Sequence, residues 1–175
     1  MSQQDQTFRE RFLVQRFDNA SYFAAPMFQA IFHQAFPEPP AGASPSWAQY
    51  VAFFRWNEDQ LEPVGFCNFL PYENLWLEGG LCVRRNFYAR LPPRLSEECR
   101  ATGGVAQLIM VAAAKELHDC TAWFAYVGDP QSLKVCTRCG YEATNRKHVI
   151  VKWFRECSPE DKSALIERVA ALGPF

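Results

Sequence analysis

Two glycines, Gly103 and Gly104, stand immediately before an apolar run, Val105 to Leu117, whose composition predicts a buried helix. Ahead of them Leu75 to Val83 (LWLEGGLCV) reads as a strand. A strand feeding a glycine-opened helix is a phosphate-binding arrangement. The N–H groups of the first helical turn have no partner within the helix, the aligned peptide dipoles leave partial positive charge there, and glycine lets a diphosphate come close to the backbone. The same glycines also suit a plain tight turn. Just upstream, Arg84 to Thr102 carries Arg84, Arg85, Arg90, Arg94 and Arg100, partly offset by Glu97 and Glu98. With Pro92-Pro93 in its middle, this stretch reads as a long loop. It is either a solvated connector or a local anion site.

Cysteine is the other potentially reactive type. The seven cysteines, at 67, 82, 99, 120, 136, 139 and 157, are odd in number, and several fall inside apparent strands. Reduced thiols in a cytoplasmic protein are the simplest reading. Cys136-x-x-Cys139 has the spacing of half a zinc site, but a structural site usually needs a second close pair. Cys120 and His118 lie near each other at the far end of a different helix. A redox pair of this spacing opens its helix, whereas this one closes it. His33, His118 and His148 read as surface, rim or strand residues, and no metal is expected.

The 175 residues are enough for one domain spanning residues 1–175, with its core over about 12–155. The 49% apolar content argues for a packed fold, and fifteen Phe predict a core rich in ring contacts. A net charge of −1 gives no general attraction to nucleic acid or membrane. No apolar run has transmembrane length, and the polar start MSQQDQTFRERF has no signal-peptide core.

The elements that must position these residues follow from periodicity. Phe12 to Asp18 reads as a strand, and Ser21 to Phe36 as a helix with Phe23, Phe28, Ile31 and Phe32 at helical spacing. The Pro-rich segment Pro37 to Pro45 is a connector or a flap. Tyr50 to Trp56 and Pro63 to Leu70 form a hairpin across Asn57 to Gln60. In the Leu75 strand, alternation puts Leu75, Leu77, Gly79, Leu81 and Val83 on one face, and Trp76, Glu78, Gly80, Cys82 and Arg84 on the other. The adjacent glycines suggest a bulge. Thr121 to Val127 is a buried strand, parallel to its predecessor because a helix intervenes. Asp129-Pro130 starts a helix that Gly140 ends. Tyr141 to Thr144 and His148 to Phe154 make a last hairpin. Ser158 to Asp161 resembles a capping box that opens a final helix, 159–172, bearing Leu165, Ile166, Val169 and Leu172. That stripe either packs on the domain or forms a homodimer contact.

This mixed α/β order resembles the GNAT superfamily of N-acetyltransferases. Two motifs carry the resemblance. Arg100-Ala101-Thr102-Gly103-Gly104-Val105-Ala106 is similar to the superfamily's pyrophosphate loop, Gln/Arg-x-x-Gly-x-Gly/Ala, with Val105 where Gly or Ala is usual. In the alternative register Gly104 and Ala106 match and the Arg is lost. Asp129 to Tyr141 is similar to Asn-x-x-Ala-x-x-Leu-Tyr-x-x-x-Gly-Phe, with Gly140 matching outright and Asp129, Ser132, Val135 and Tyr141 as near equivalents. The likeness spans roughly Phe12 to Phe154. It implies a mostly antiparallel sheet of six to seven strands flanked by helices.

The resemblance also implies a chemistry: transfer of an acetyl group from acetyl-CoA to a primary amine on a small molecule or a peptide. The pantetheine arm would pair with Leu81, Cys82 and Val83 like an added strand. The diphosphate would sit at Arg100, Thr102, Gly103, Gly104, Val105 and Ala106, with Asp129 and Ser132 nearby. A lysine-type amine is neutral about once in 2,500 at pH 7, so a base is useful. Glu78 is the candidate, since members often place Glu on the fourth strand; Glu73 is the fallback. Members often protonate the leaving thiolate from a Tyr where this chain has Cys136, which is either a thiol acid or a small buried filler. A non-catalytic acyl-CoA-binding or protein-interaction module is the alternative.

Overall fold

The computed structural model describes residues 6–18, 31 and 48–175. The Pro37 to Pro45 segment, His33, and all of the Ser21 to Phe36 helix except Ile31 lie outside the described residues; Ile31 is helical and buried.

Alternating and β-branched residues build seven strands: β1 Phe12–Asp18, β2 Ala48–Asn57, β3 Gln60–Tyr72, β4 Leu75–Val83, β5 Ala122–Tyr126, β6 Glu142–Ala143 and β7 Val149–Trp153. Their order in the one sheet is β1-β2-β3-β4-β5-β7-β6. Every neighbouring pair is antiparallel except β4 and β5. The parallel pair is bridged by three helices, α1 Phe87–Arg90, α2 Pro93–Ala101 and α3 Val105–Glu116. Helix α4, Pro130–Arg138, follows β5, and α5, Pro159–Ala170, follows β7. This mixed, mostly antiparallel architecture is the one expected from the order of elements.

The stretch Arg84 to Thr102 corrects the sequence reading. It is largely helical, because Pro93 occupies the first helical position of α2, where a missing N–H costs nothing and the fixed φ is already helical. Its arginines are mostly spent on structure. Arg84 and Arg90 both bind the Glu62 carboxylate at 2.8 Å, and Glu62 also accepts from the Trp56 indole. Arg90 also lies over the Trp56 ring, and Arg94 pairs with Glu98 one turn on. These contacts pin α1 to the β2–β3 hairpin.

The two sheet faces bury different sets. On one, Phe8, Phe54 and Phe87 pack ring against ring, beside Val105, Ile109 and Met110 of α3 and Cys136 of α4. On the other, Leu165, Ile166 and Val169 of α5 cover Leu75, Leu77, Phe124 and Val151. The apolar stripe of α5 therefore packs on its own sheet; Leu172 lies beyond the helix and is exposed. Ser158 Oγ accepts from the Asp161 N–H, so the helix-start signal is used as read. Gly65 on β3 lets α3 approach closely: a Cβ there would lie 2.7 Å from Val105 Cγ1 and 2.9 Å from Ile109 Cδ1.

Candidate active site

A fork in the sheet organises the site. β4 and β5 pair from Leu75–Ala122 to Glu78–Ala125, and there the ladder stops. β4 runs on to Val83 paired only with β3, while β5 ends at Tyr126, one residue past the last shared rung. The Gly79-Gly80 pair sits at this point as a bulge: Cys67 faces Leu81 and Phe69 faces Glu78, so two β4 residues oppose Asn68 alone. Gly80 has φ +130, which other residues rarely adopt. Asn68 is buried, and with its amide nitrogen turned to β4 it donates to the Gly79 carbonyl at 2.9 Å and the Gly80 carbonyl at 3.3 Å.

The bulge changes which residues share a face. Simple alternation put Glu78 with Cys82 and opposite Leu81. The extra residue shifts the phase, so Leu81 and Val83 join Glu78 on the α3 side, while Leu75 and Leu77 face α5. Cys82 is buried, opposite Phe66 in the β3 ladder.

Glu78 stands on the last paired rung and is only 5% exposed. Burial pushes its carboxyl up to about 7, against an opposing pull from a hydrogen bond donated by Tyr141 Oη to Oε2 at 2.8 Å. A carboxylate that is half ionised near neutrality is suited to taking a proton from an amine. Glu73, in the β3–β4 turn, is exposed and pairs with Arg168 at 3.0 Å. It is five residues, roughly 16 Å along the strand, from Glu78.

Tyr141 is the residue sequence reasoning passed over as a proton-handling group. Helix α4 ends in a Schellman motif: the Gly140 N–H donates to the Thr137 carbonyl and the Tyr141 N–H to the Cys136 carbonyl, with Gly140 at φ +92. In that motif the residue after the glycine packs back on the helix's last turn. Gly140 followed by an aromatic was the available signal. Cys136 lies in this packing, 1% exposed, and burial raises its thiol well above the ordinary value.

The glycine pair before α3 closes one helix and opens another. Thr102 caps α2, Gly103 (φ +85) donates to the Arg100 carbonyl and Gly104 (φ +88) to that of Cys99, again a Schellman motif. The amides of Gly103 and Gly104 are thus engaged within the turn. The Val105 N–H donates to the Tyr88 hydroxyl at 3.2 Å, and the first bond within α3 runs from Leu108 to Gly104. Ala106 and Gln107 lie between, in the first turn, where no carbonyl of the helix can reach. Gln107 folds over Gly103, and its buried Oε1 has no hydrogen-bond partner among the described residues.

Cationic charge at this turn comes from a second residue the sequence did not flag. Arg138 Nη2 lies 3.4 Å from the Gly103 carbonyl. With Lys134 one turn earlier on α4, it lines an open groove of about 700 Å³ that also includes Gln131 and Leu133. Arg100 is exposed on the last turn of α2, and Thr102 Oγ1 donates to the Cys99 carbonyl. Asp129 caps α4 by accepting from the N–H groups of Gln131 and Ser132, which holds its carboxyl below the usual range despite partial burial. Among the described residues no three His, Cys, Asp or Glu side chains are grouped to hold a metal, and all seven cysteines are free. No described helix is long and apolar enough to cross a membrane.

No family model matches the chain, and no curated protein matches it in sequence. Solved structures do. The ribosomal-protein-S18-alanine N-acetyltransferase from Escherichia coli superposes with a TM-score of 0.55 at 9% identity, over 85% of this chain and 97% of that one. The catalytic domain of the Tetrahymena GCN5 histone acetyltransferase, in complex with coenzyme A, gives 0.52 at 10% identity, over 85% and 96%. The aminoglycoside 6'-N-acetyltransferase from Enterococcus faecium gives 0.51 at 11% identity, over 83% and 99%. The chain has the fold of the GNAT acetyltransferases.

Proposed function

We propose that the chain transfers an acetyl group from acetyl-CoA to a primary amine, with Glu78 as general base. The observation that carries this reading is the buried carboxylate at the vertex of the fork between β4 and β5. The amine nitrogen attacks the thioester carbonyl, the C–N bond forms and the C–S bond breaks. Glu78 takes the amine proton, and coenzyme A leaves as thiolate. A base of this kind contributes about 10²–10⁴-fold. That solved relatives of this fold hold coenzyme A supports the choice of donor.

The chain's own residues fit coenzyme A. Leu81, Cys82 and Val83 offer backbone on the side of β4 that β5 leaves unpaired, where a pantetheine amide arm would pair as a strand does. First-turn amides of α3, from Val105 through Gln107, would hold the diphosphate, with Tyr88 yielding the Val105 N–H. Gly103 and Gly104 add no side chain of their own to that approach, Gln107 would swing off Gly103 to admit the phosphates, and Arg138 adds positive charge over the turn. Arg100, Thr102, Asp129 and Ser132 would border the same site. The three proteins named above are acetyltransferases of a ribosomal protein's alanine, a histone and an aminoglycoside, so this fold serves unlike acceptors and the amine here is left as a class.

A second reading, a module that binds acyl-CoA without turnover, is favoured by Cys136. A thiol held so firmly protonated by burial donates poorly to a leaving thiolate. Calorimetry with coenzyme A, followed by free-thiol release from acetyl-CoA over a panel of small and peptide amines, tests both. Binding with release supports transfer. Binding with no release from any amine leaves the module, and no binding overturns both.

A further inference from the structure

Among the described residues, the one hydrogen bond to the Glu78 carboxylate comes from a residue 63 positions away, and its placement is not accidental to the local fold. Gly140, at φ +92, turns the chain back on α4, and the Tyr141 N–H is tied to the Cys136 carbonyl at 3.1 Å. The ring therefore enters the same buried space as Cys136, with 3% of its surface exposed. Packing alone would need only a phenyl ring. A buried phenol must also find a partner for its hydroxyl, and the partner it meets is Glu78 Oε2 at 2.8 Å. The groups facing this carboxylate among the described residues are Cys67 from β3, Cys136 from α4, Cys139 just past its end, and Tyr141 itself. The three thiols are all held protonated by burial, so they bring no charge to it.

Resting on the reading of Glu78 as the base, we propose that Tyr141 is its positioning residue: the phenol fixes the carboxylate at the strand fork and stabilises its charged form. A hydroxyl donating to an ionised carboxylate favours ionisation, opposing the effect of burial. Without it, Glu78 would stay protonated further into the alkaline range and would be free to turn within the pocket. The hydrogen bond to Oε2 leaves Oε1 without a protein partner among the described residues, so one oxygen is held while the other meets the amine proton.

The test is Tyr141→Phe in the full chain, which keeps the ring and removes only the hydroxyl. The Glu78 carboxyl carbon is followed by ¹³C NMR against pH in the free protein, its signal assigned by its loss in Glu78→Gln. The expected result is a titration midpoint about one to two pH units higher in Tyr141→Phe than in the wild type. If the protein also transfers acetyl groups, the acidic limb of its kcat/KM profile moves up by the same amount, with the KM for acetyl-CoA unchanged. An unmoved midpoint in a folded variant overturns the inference. Should that variant not fold, the ¹³Cζ signal of Tyr141 in the wild type provides the second measurement: it must shift as Glu78 titrates, and failure to do so also overturns the inference. Neither signal depends on turnover. A coupled titration with no thiol release would therefore refute the catalytic reading and leave the Glu78–Tyr141 pair standing.

Discussion

Replacing Glu78 with Gln should make the protein more stable at neutral pH while removing its proposed chemistry. Glu78 has its ordinary value near 4.5 in the unfolded chain and about 7 when folded. Because the folded value is the higher, the native state binds more protons between these limits, and stability falls as pH rises through that window. With those two values, the cost of holding this carboxyl in the fold is about 1 kcal/mol at pH 5 and about 3 kcal/mol at pH 8. Gln has nearly the same shape, still accepts from the Tyr141 hydroxyl and never ionises. Urea unfolding of both proteins from pH 5 to pH 8.5 should give nearly parallel curves at the acid end. Toward the alkaline end Glu78→Gln should gain about 2 kcal/mol on the wild type, equivalent to roughly 4–8 °C in melting temperature. If the gap between the two proteins does not widen with pH, the carboxyl is not held neutral by burial and the case for a tuned base at the fork fails. The same variant should lose about 10²–10⁴-fold in kcat in thiol-release assays.

Gly65→Ala should drive its new Cβ into Val105 and Ile109, lowering stability by about 1–3 kcal/mol; a melting temperature within a degree of wild type would contradict the close packing of α3 on β3. Gly104→Ala forces an L side chain to φ +88 within 3.1 Å of Tyr88 Oη, costing about 1–2 kcal/mol and weakening coenzyme A binding by calorimetry; intact affinity would place the diphosphate elsewhere. Arg138→Ala should weaken coenzyme A by about tenfold and flatten the salt dependence of binding, and an unchanged dissociation constant would remove this arginine from the site.

Much of the architecture was legible in the chain. Strands β1 to β5 and β7 follow from alternation and apolar runs. Asp129 and Ser158 cap their helices as their types and spacing indicate, and Gly140 ends α4 as a C-terminal glycine should. These features are local, set by side chains within a turn or a hairpin of one another. Where local rules met a competing feature they misled. Pro92-Pro93 read as a helix breaker, yet Pro93 starts a helix, because proline is excluded from helix interiors and welcomed at their first turn.

Sequence by itself determined the order of elements, a glycine-opened helix after the fourth strand and a glutamate within that strand. Tertiary structure alone decided that the glutamate is buried at a fork, that Tyr141 holds it and that Arg138 overlooks the Gly103-Gly104 turn. The reason is separation along the chain. A two-residue bulge facing Asn68 reverses the strand's phase only once β3 is in register with β4, and the surroundings that move a carboxyl's proton affinity come from β3, α4 and the residue after Gly140, which the backbone brings together only when folded.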